Sequence, residues 1–152
     1  MIRIAVGEAD FDAGAELRGL QAAAGDAGAI ASFIGVVRPE SGGEALLSMT
    51  LEHYPGMTER ALDEIARAAH SRFALSAVTI VHRVGRLVPG AQIVFAGAAS
   101  GHRQAAFDGV QFLMDYLKTQ APFWKLEERV SGDHWVEARS SDEEAAARWE
   151  RR

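Results

Sequence analysis

The sequence predicts an α+β fold with a mainly antiparallel sheet and packed helices. Strand-like and helix-like stretches are interleaved along the chain, and most links between successive strands are too short for a parallel crossover. A length of 152 residues with 48% hydrophobic content suits one domain with a real core and is too short for two. Residues 1–152 are therefore read as a single domain.

Residues 2–6 are predicted as a first strand, and the Ala- and Gly-rich stretch 12–28 as a short helix and a loop. Residues 29–37 are small, β-branched and apolar on both faces, which predicts a well-covered strand stopped at Arg38-Pro39. The polar run 40–44, centred on Ser41-Gly42-Gly43, is predicted as a mobile loop. Residues 46–54 alternate Leu47, Met49 and Leu51 against Ser48, Thr50 and Glu52, the pattern of a half-buried strand. Pro55-Gly56 opens a helix over Met57–Arg72, with Ala61, Leu62, Ile65 and Ala69 at helical spacing.

Two further strands, residues 77–84 and 92–99, are separated by a turn-rich link over 85–90 and are predicted to pair antiparallel. The helix after Ser100 carries Phe107, Val110, Met114 and Leu117 as its buried stripe, with Asp108, Gln111, Asp115 and Lys118 on another face. Beyond Pro122, residues 123–130 and 134–138 predict a last hairpin around Ser131-Gly132-Asp133. Ser141-Asp142-Glu143-Glu144 has capping-box spacing and starts a terminal helix, about residues 141–150, that includes Trp149.

Composition removes several function classes. A formal net charge of -5 argues against a general nucleic-acid binder, so any cationic site must be local. There is no cysteine, which excludes disulfides, thiolate metal sites and thiol nucleophiles. The five histidines (His53, His70, His82, His102 and His134) lack zinc-site spacing, so no metal is expected. No stretch has the length or apolarity of a signal peptide or membrane span, which predicts a soluble cytoplasmic protein.

The most informative stretch runs from Ser100 to Glu127. His102 and Arg103 fall at a helix start, where the free N-H groups of the first turn also face an incoming anion. Lys118 lies near the other end of that helix, and Lys125 follows the brace Pro122-Phe123-Trp124. Taken singly, each residue is explained by its place on the surface, since a lysine suits the negative end of a helix dipole and Trp124 suits a core. Together with Arg38 at a strand-to-loop junction, they suit a phosphate-bearing substrate: Arg supplies a planar donor fork and Lys a point charge. Crowded cations also favour the neutral form of an amine, which can then act as base or nucleophile. His53 and His82, in predicted strands, read as hydrogen-bonded structural histidines.

With these residues in place, the chain resembles the catalytic (large) subunit family of molybdopterin synthase. The resemblance rests on residues 33–38 (Phe-Ile-Gly-Val-Val-Arg), 51–57 (Leu-Glu-His-Tyr-Pro-Gly-Met), 82–85 (His-Arg-Val-Gly), 100–103 (Ser-Gly-His-Arg) and 114–127, and covers residues from about 28 to 139. It implies an α/β hammerhead-type fold and a sulfurtransferase of molybdenum cofactor biosynthesis. Such an enzyme converts cyclic pyranopterin monophosphate to molybdopterin by installing two sulfurs as a dithiolene. It also implies a sulfur donor, a small ubiquitin-like subunit whose C-terminal Gly-Gly ends in a thiocarboxylate. The implied assembly is a central homodimer within a heterotetramer, with no metal or organic cofactor of its own.

By the same resemblance, Lys118 is the essential catalytic residue and Lys125 its close companion. Arg38, His102 and Arg103 grip the phosphate and pterin, Arg139 reaches the neighbouring subunit's pocket, and Val36, Val37, Leu126 and Glu127 line the site. The chain departs from the family at Leu126, where relatives often carry a basic residue, at Val36, where some carry lysine, and at Gly101, where Ala is usual. Two other classes compete. A phosphate-ester-processing enzyme would ordinarily need carboxylate-held Mg²⁺ or a phosphate loop, and no G-x-x-x-x-G-K-[ST] stretch is present. A non-catalytic adaptor would bind the tail of a ubiquitin-like protein without turnover.

Overall fold

The computed structural model describes residues 1–137 and 140–151. In chain order the elements are β1 (Ile2–Gly7), α1 (Ala13–Ala23), β2 (Ala29–Val36), β3 (Glu40–Ser41), β4 (Glu44–His53), α2 (Met57–Arg72), β5 (Ala77–Arg83), β6 (Gly85–Leu87), β7 (Gln92–Ser100), α3 (Arg103–Gln120), β8 (Phe123–Arg129), β9 (Gly132–Val136) and α4 (Ser140–Glu150). They build two sheets. The first has the order β1-β5-β7-β2 and the second β3-β4-β8-β9, with β6 also paired to β4. Among the described pairings only β1 with β5 is parallel.

The first sheet is covered on both faces where its central strands run. Val78, Ile80, Ala96 and Ala98 meet Leu62, Ile65, Val110 and Leu113 of α2 and α3, and alternate residues Ala77 and Ala99 meet Leu20 and Ala24 at α1. This two-sided burial explains why residues 77–82 are apolar or fully buried without alternation. The second sheet has its own small core of Val37, Leu46, Met49, Leu51 and Leu87.

Several sequence expectations need correction. The strand at residues 29–36 is an edge strand rather than a well-covered one: it pairs with β7, and Ile30, Phe33, Ile34 and Val36 are all more than a third exposed. Residues 40–44 are a tight hairpin, because Gly42 and Gly43 both take positive φ (60° and 81°) and let Ser41 pair directly with Glu44. The alternation along β4 is broken by a register shift between Leu46 and Ser48, which buries Leu46 and Ser48 and leaves Leu47 half exposed.

The link between β5 and β7 contains β6, whose pairing with β4 ties the two sheets in sequence. In α3, Phe107 is 60% exposed, and Phe112 and Leu113 take the buried places instead. The last hairpin turns at Val130-Ser131, so that Gly132 and Asp133 already belong to β9. The predicted end of that strand at Ala138 lies outside the described residues.

The terminal helix docks through Trp149, which is 4% exposed. Its indole N-H donates to Asp115 Oδ2 at 2.7 Å, and its ring meets Phe73 and Phe112 edge-on. The Arg72 guanidinium lies 5.4 Å from the Trp149 ring and donates to the Trp149 carbonyl at 2.7 Å. We expect Trp149→Ala to lower the unfolding free energy by about 3–5 kcal/mol, read as a shifted urea midpoint at unchanged slope.

Candidate active site

The two ends of α3 present different chemistry. At its start His102 is the N-cap with extended backbone, Arg103 is the first helical residue, and both side chains are exposed beside the positive end of the helix dipole. The turn leading there is packed hard against the start of β2, since a Cβ on Gly28 would stand 2.6 Å from the Gly101 carbonyl oxygen. Lys118 projects, exposed, from the last turn. Fifteen residues of helix separate Arg103 from Lys118, a rise of about 22 Å. Within one chain, therefore, His102 and Arg103 do not meet Lys118.

What Lys118 does meet is the start of β8. The chain leaves α3 at Ala121 in extended conformation (φ -81°, ψ 131°) and enters the strand at Phe123. Thr58 holds this passage: its hydroxyl donates to the Pro122 carbonyl at 3.1 Å while accepting from the Tyr54 N-H at 2.9 Å. The run 51–57 thus has a physical task. Its strand half pairs Leu51 with Lys125 and His53 with Phe123, and its Pro-Gly half starts α2, where the Gly56 N-H donates to Glu59 at 2.6 Å.

Strand alternation puts Phe123, Lys125 and Glu127 on one face of β8. Lys125 is half-buried between Leu51 on one side and Val136 on the other. Glu127 is 8% exposed and is held by the Ser41 hydroxyl at 2.7 Å and by Arg129 at 2.6 Å. Burial opposes its charge, but those hydrogen bonds, with the Arg129 and Lys125 charges, keep its carboxyl below the usual range. Glu127 so fastens the β3-β4 hairpin to β8.

His82 stands against the start of β8. It is 4% exposed, its ring stacks on Phe123 with centroids 3.9 Å apart and planes 18° from parallel, and Nδ1 stands 2.8 Å from the Arg83 carbonyl. A carbonyl only accepts, so Nδ1 carries the proton and Nε2 keeps its lone pair. Burial pushes the imidazole pKa down to about 4, against the Arg83 hydrogen bond, and the charges of Lys125, Lys118 and His53 push it further down. The two ammonium groups therefore share a neighbourhood with a neutral ring. His53 completes it, with Nε2 3.7 Å from Glu59 Oε1.

The remaining sequence candidates are dispersed. Arg38 and Val36 are exposed beyond and at the end of β2, whereas Val37 is 2% exposed in the second core, its N-H donating to Ala91. Leu126, on the opposite face of β8 from Lys125, pairs with Thr50 and Trp135. Arg139 lies outside the described residues. The sequence reads His82 as structural, and its stack on Phe123 had no local signal beyond a histidine inside an apolar strand.

Among the described residues no group of His, Asp or Glu is arranged to hold a metal ion, and no helix is long and apolar enough to cross a membrane. The chain is thus α+β, with one lysine in the last turn of a helix and another near the start of the strand that follows. The MoaE protein family matches residues 6–120, and the chain belongs to that family. A Salmonella typhimurium protein named molybdopterin synthase catalytic subunit is 55% identical over 147 residues, covering 97% of each chain. The solved structure of a molybdopterin biosynthesis MoaE protein from Burkholderia ambifaria MC40-6 superposes with a TM-score of 0.85 at 48% identity, covering 99% of both chains. The fold also recurs, with a TM-score of 0.71 at 19% identity and 91% coverage of each chain, in a Helicobacter pylori structure described as the complex of subunits 1 and 2 of molybdopterin-converting factor.

The neutral state of His82 sets an acid limit on stability. An unfolded histidine takes up a proton near pH ~6.5, whereas folded His82 does so only near 4. Stability is therefore full above the unfolded value, falls as pH drops toward 4, and loses no more through this group below that. The loss amounts to roughly 3 kcal/mol. Unfolding titrations between pH 7 and 4 should show this slope in the native chain and its absence in His82→Phe.

Proposed function

We propose that this chain is the catalytic subunit of a cytoplasmic molybdopterin synthase, which converts cyclic pyranopterin monophosphate to molybdopterin by inserting two sulfurs as a dithiolene. The observation that supports this reading is the placement of Lys118 in the last turn of α3 and Lys125 near the start of β8, on either side of the link that Thr58 holds at Pro122, in a chain 55% identical to a protein of that name. Lys118 handles protons as the donor sulfur attacks the substrate side chain, and Lys125 holds the anion beside it. The sulfur arrives as the C-terminal thiocarboxylate of a small ubiquitin-like subunit, which accounts for a sulfurtransferase without cysteine.

A route for that tail is open on the surface. A groove of about 770 Å³ runs between β2 and α3, lined by Ile30, Phe33, Phe107, Val110 and Met114. Met114 lies one helical turn before Lys118, so the groove leads toward the amine. Its β2 wall is a sheet edge whose free backbone groups suit an added extended strand. The chain acts as a homodimer within a heterotetramer. Because His102 and Arg103 stand about 22 Å along α3 from Lys118, their grip on phosphate is assigned to the neighbouring protomer's pocket, as is that of Arg139. Arg38, Val36, Val37, Leu126 and Glu127 are assigned to the walls of the substrate pocket, Val37 through its backbone and Glu127 by bracing the β3-β4 hairpin.

Reconstitution with a thiocarboxylated small subunit and the cyclic pterin tests the reading. Lys118→Ala should keep partner binding, because the groove is untouched, while dithiolene formation falls by at least about 100-fold. Unchanged turnover would remove Lys118 from the chemistry. Partner binding with no turnover even in the native chain would favour an adaptor, and phosphate release from generic phosphoesters would favour a phosphohydrolase.

A further inference from the structure

The motif at residues 82–85 is left without a role by the reading above, and the structure supplies one. Lys118 belongs to the layer over the first sheet, and Lys125 belongs to the second sheet. Their spacing is therefore not set by either sheet alone. It is set where α3 passes into β8, and His82 stands at that passage.

We propose that His82 is a positioning residue: its buried ring, stacked on Phe123, clamps the start of β8 to the end of β5 and so sets where Lys125 stands relative to Lys118. His82 is tied into the first sheet on both sides, opposite Val6 of β1 and Val94 of β7. Phe123 is the first residue of β8 and pairs with His53 of the second sheet. Their stack, at 3.9 Å and 18°, is the aromatic contact that crosses between the sheets among the described residues. The Nδ1-H bond to the Arg83 carbonyl fixes the plane of the imidazole, which a ring without a donor lacks.

Phe123 controls both amines by chain geometry. Lys125 follows it by two residues on the same face, about 6.6 Å along the strand, and Lys118 precedes it across the short Ala121-Pro122 link. Thr58 secures the Pro122 carbonyl, a backbone anchor one residue before the strand, and so limits the path of the link. The charged or titratable groups felt at the imidazole are Lys125 of β8, Lys118 of α3 and His53 of β4, the last beside Glu59 of α2. A neutral ring at this position adds no repulsion to theirs.

This role rests on the sulfur-transfer reading for its effect on rate, but its geometry can be tested separately. In the intact complex, a short bifunctional amine reagent should join Lys118 to Lys125 in the native chain and in His82→Phe, which keeps a stackable ring. His82→Asn keeps a donor for the Arg83 carbonyl but loses the ring, and Phe123→Leu loses the other half of the stack; both should lose the cross-link. In turnover, both should drop kcat by about 10- to 100-fold with KM and small-subunit affinity within about 2-fold, and His82→Phe should recover most of the loss. If His82→Asn does not fold, Phe123→Leu decides.

An unchanged cross-link and kcat in the ring-loss variants overturns the proposal, as does a native chain that gives no cross-link. So does a kcat loss that follows only a fall in partner affinity. A native chain that cross-links but makes no dithiolene counts against the sulfur-transfer reading instead, and the cross-link pattern of the variants still decides the role of His82.

Discussion

Two sheets meet where the His82 ring lies flat on Phe123, and the arrangement of the site depends on that junction. One side of the stack is rooted in the middle of the buried first sheet. The other is the first residue of a strand in the second sheet, whose apolar core is a cluster of five buried side chains among the described residues. Such a small layer gains little from its own burial and takes its orientation from what it is fastened to. The fastenings include the ring stack, the Thr58 bond to Pro122, and β6, which follows directly on β5 and pairs with β4.

The electrostatics follow from the same junction. The chain is acidic as a whole, at -5, yet the charges of two lysines from different layers are felt at one buried ring. A third cation there would be repelled and desolvated, and burial keeps the imidazole uncharged instead. Elsewhere the charges are used for structure. Glu127 is spent on holding a hairpin, and Arg72 lies over the aromatic cluster that seats the terminal helix. His102 and Arg103 sit exposed at a helix start where the N-cap makes no side-chain cap hydrogen bond.

Much of the fold was legible because local patterns report local structure. The Pro-Gly start and 3.6-residue spacing of α2 matched its observed limits, Met57–Arg72, and strand after strand fell within a residue or two of its predicted place. The errors share a cause. Residues 29–37 look fully apolar whether a strand is central or at an edge, and only the order β1-β5-β7-β2 leaves β2 at the rim with Phe33 and Ile34 exposed. Ser41-Gly42-Gly43 suits a loose loop as well as a tight hairpin until Glu40 and Ser41 find partners in β4. The bulge after Leu46 reverses an alternation that the residues themselves display without interruption.

The sequence by itself determined which segments are helix and strand, that the fold class is α+β, and which uncommon motifs mark its family, since these depend on neighbours within a few positions. Only the tertiary structure decided that the His82 ring stacks on Phe123, two residues before Lys125, while His102 and Arg103 stand at the far end of α3 from Lys118. It also decided that His82 joins two sheets and that β2 has an open edge. The physical reason is that the direction of a side chain and the partner it meets come from the packing of whole layers, in which residues distant along the chain are brought within a few ångströms of one another.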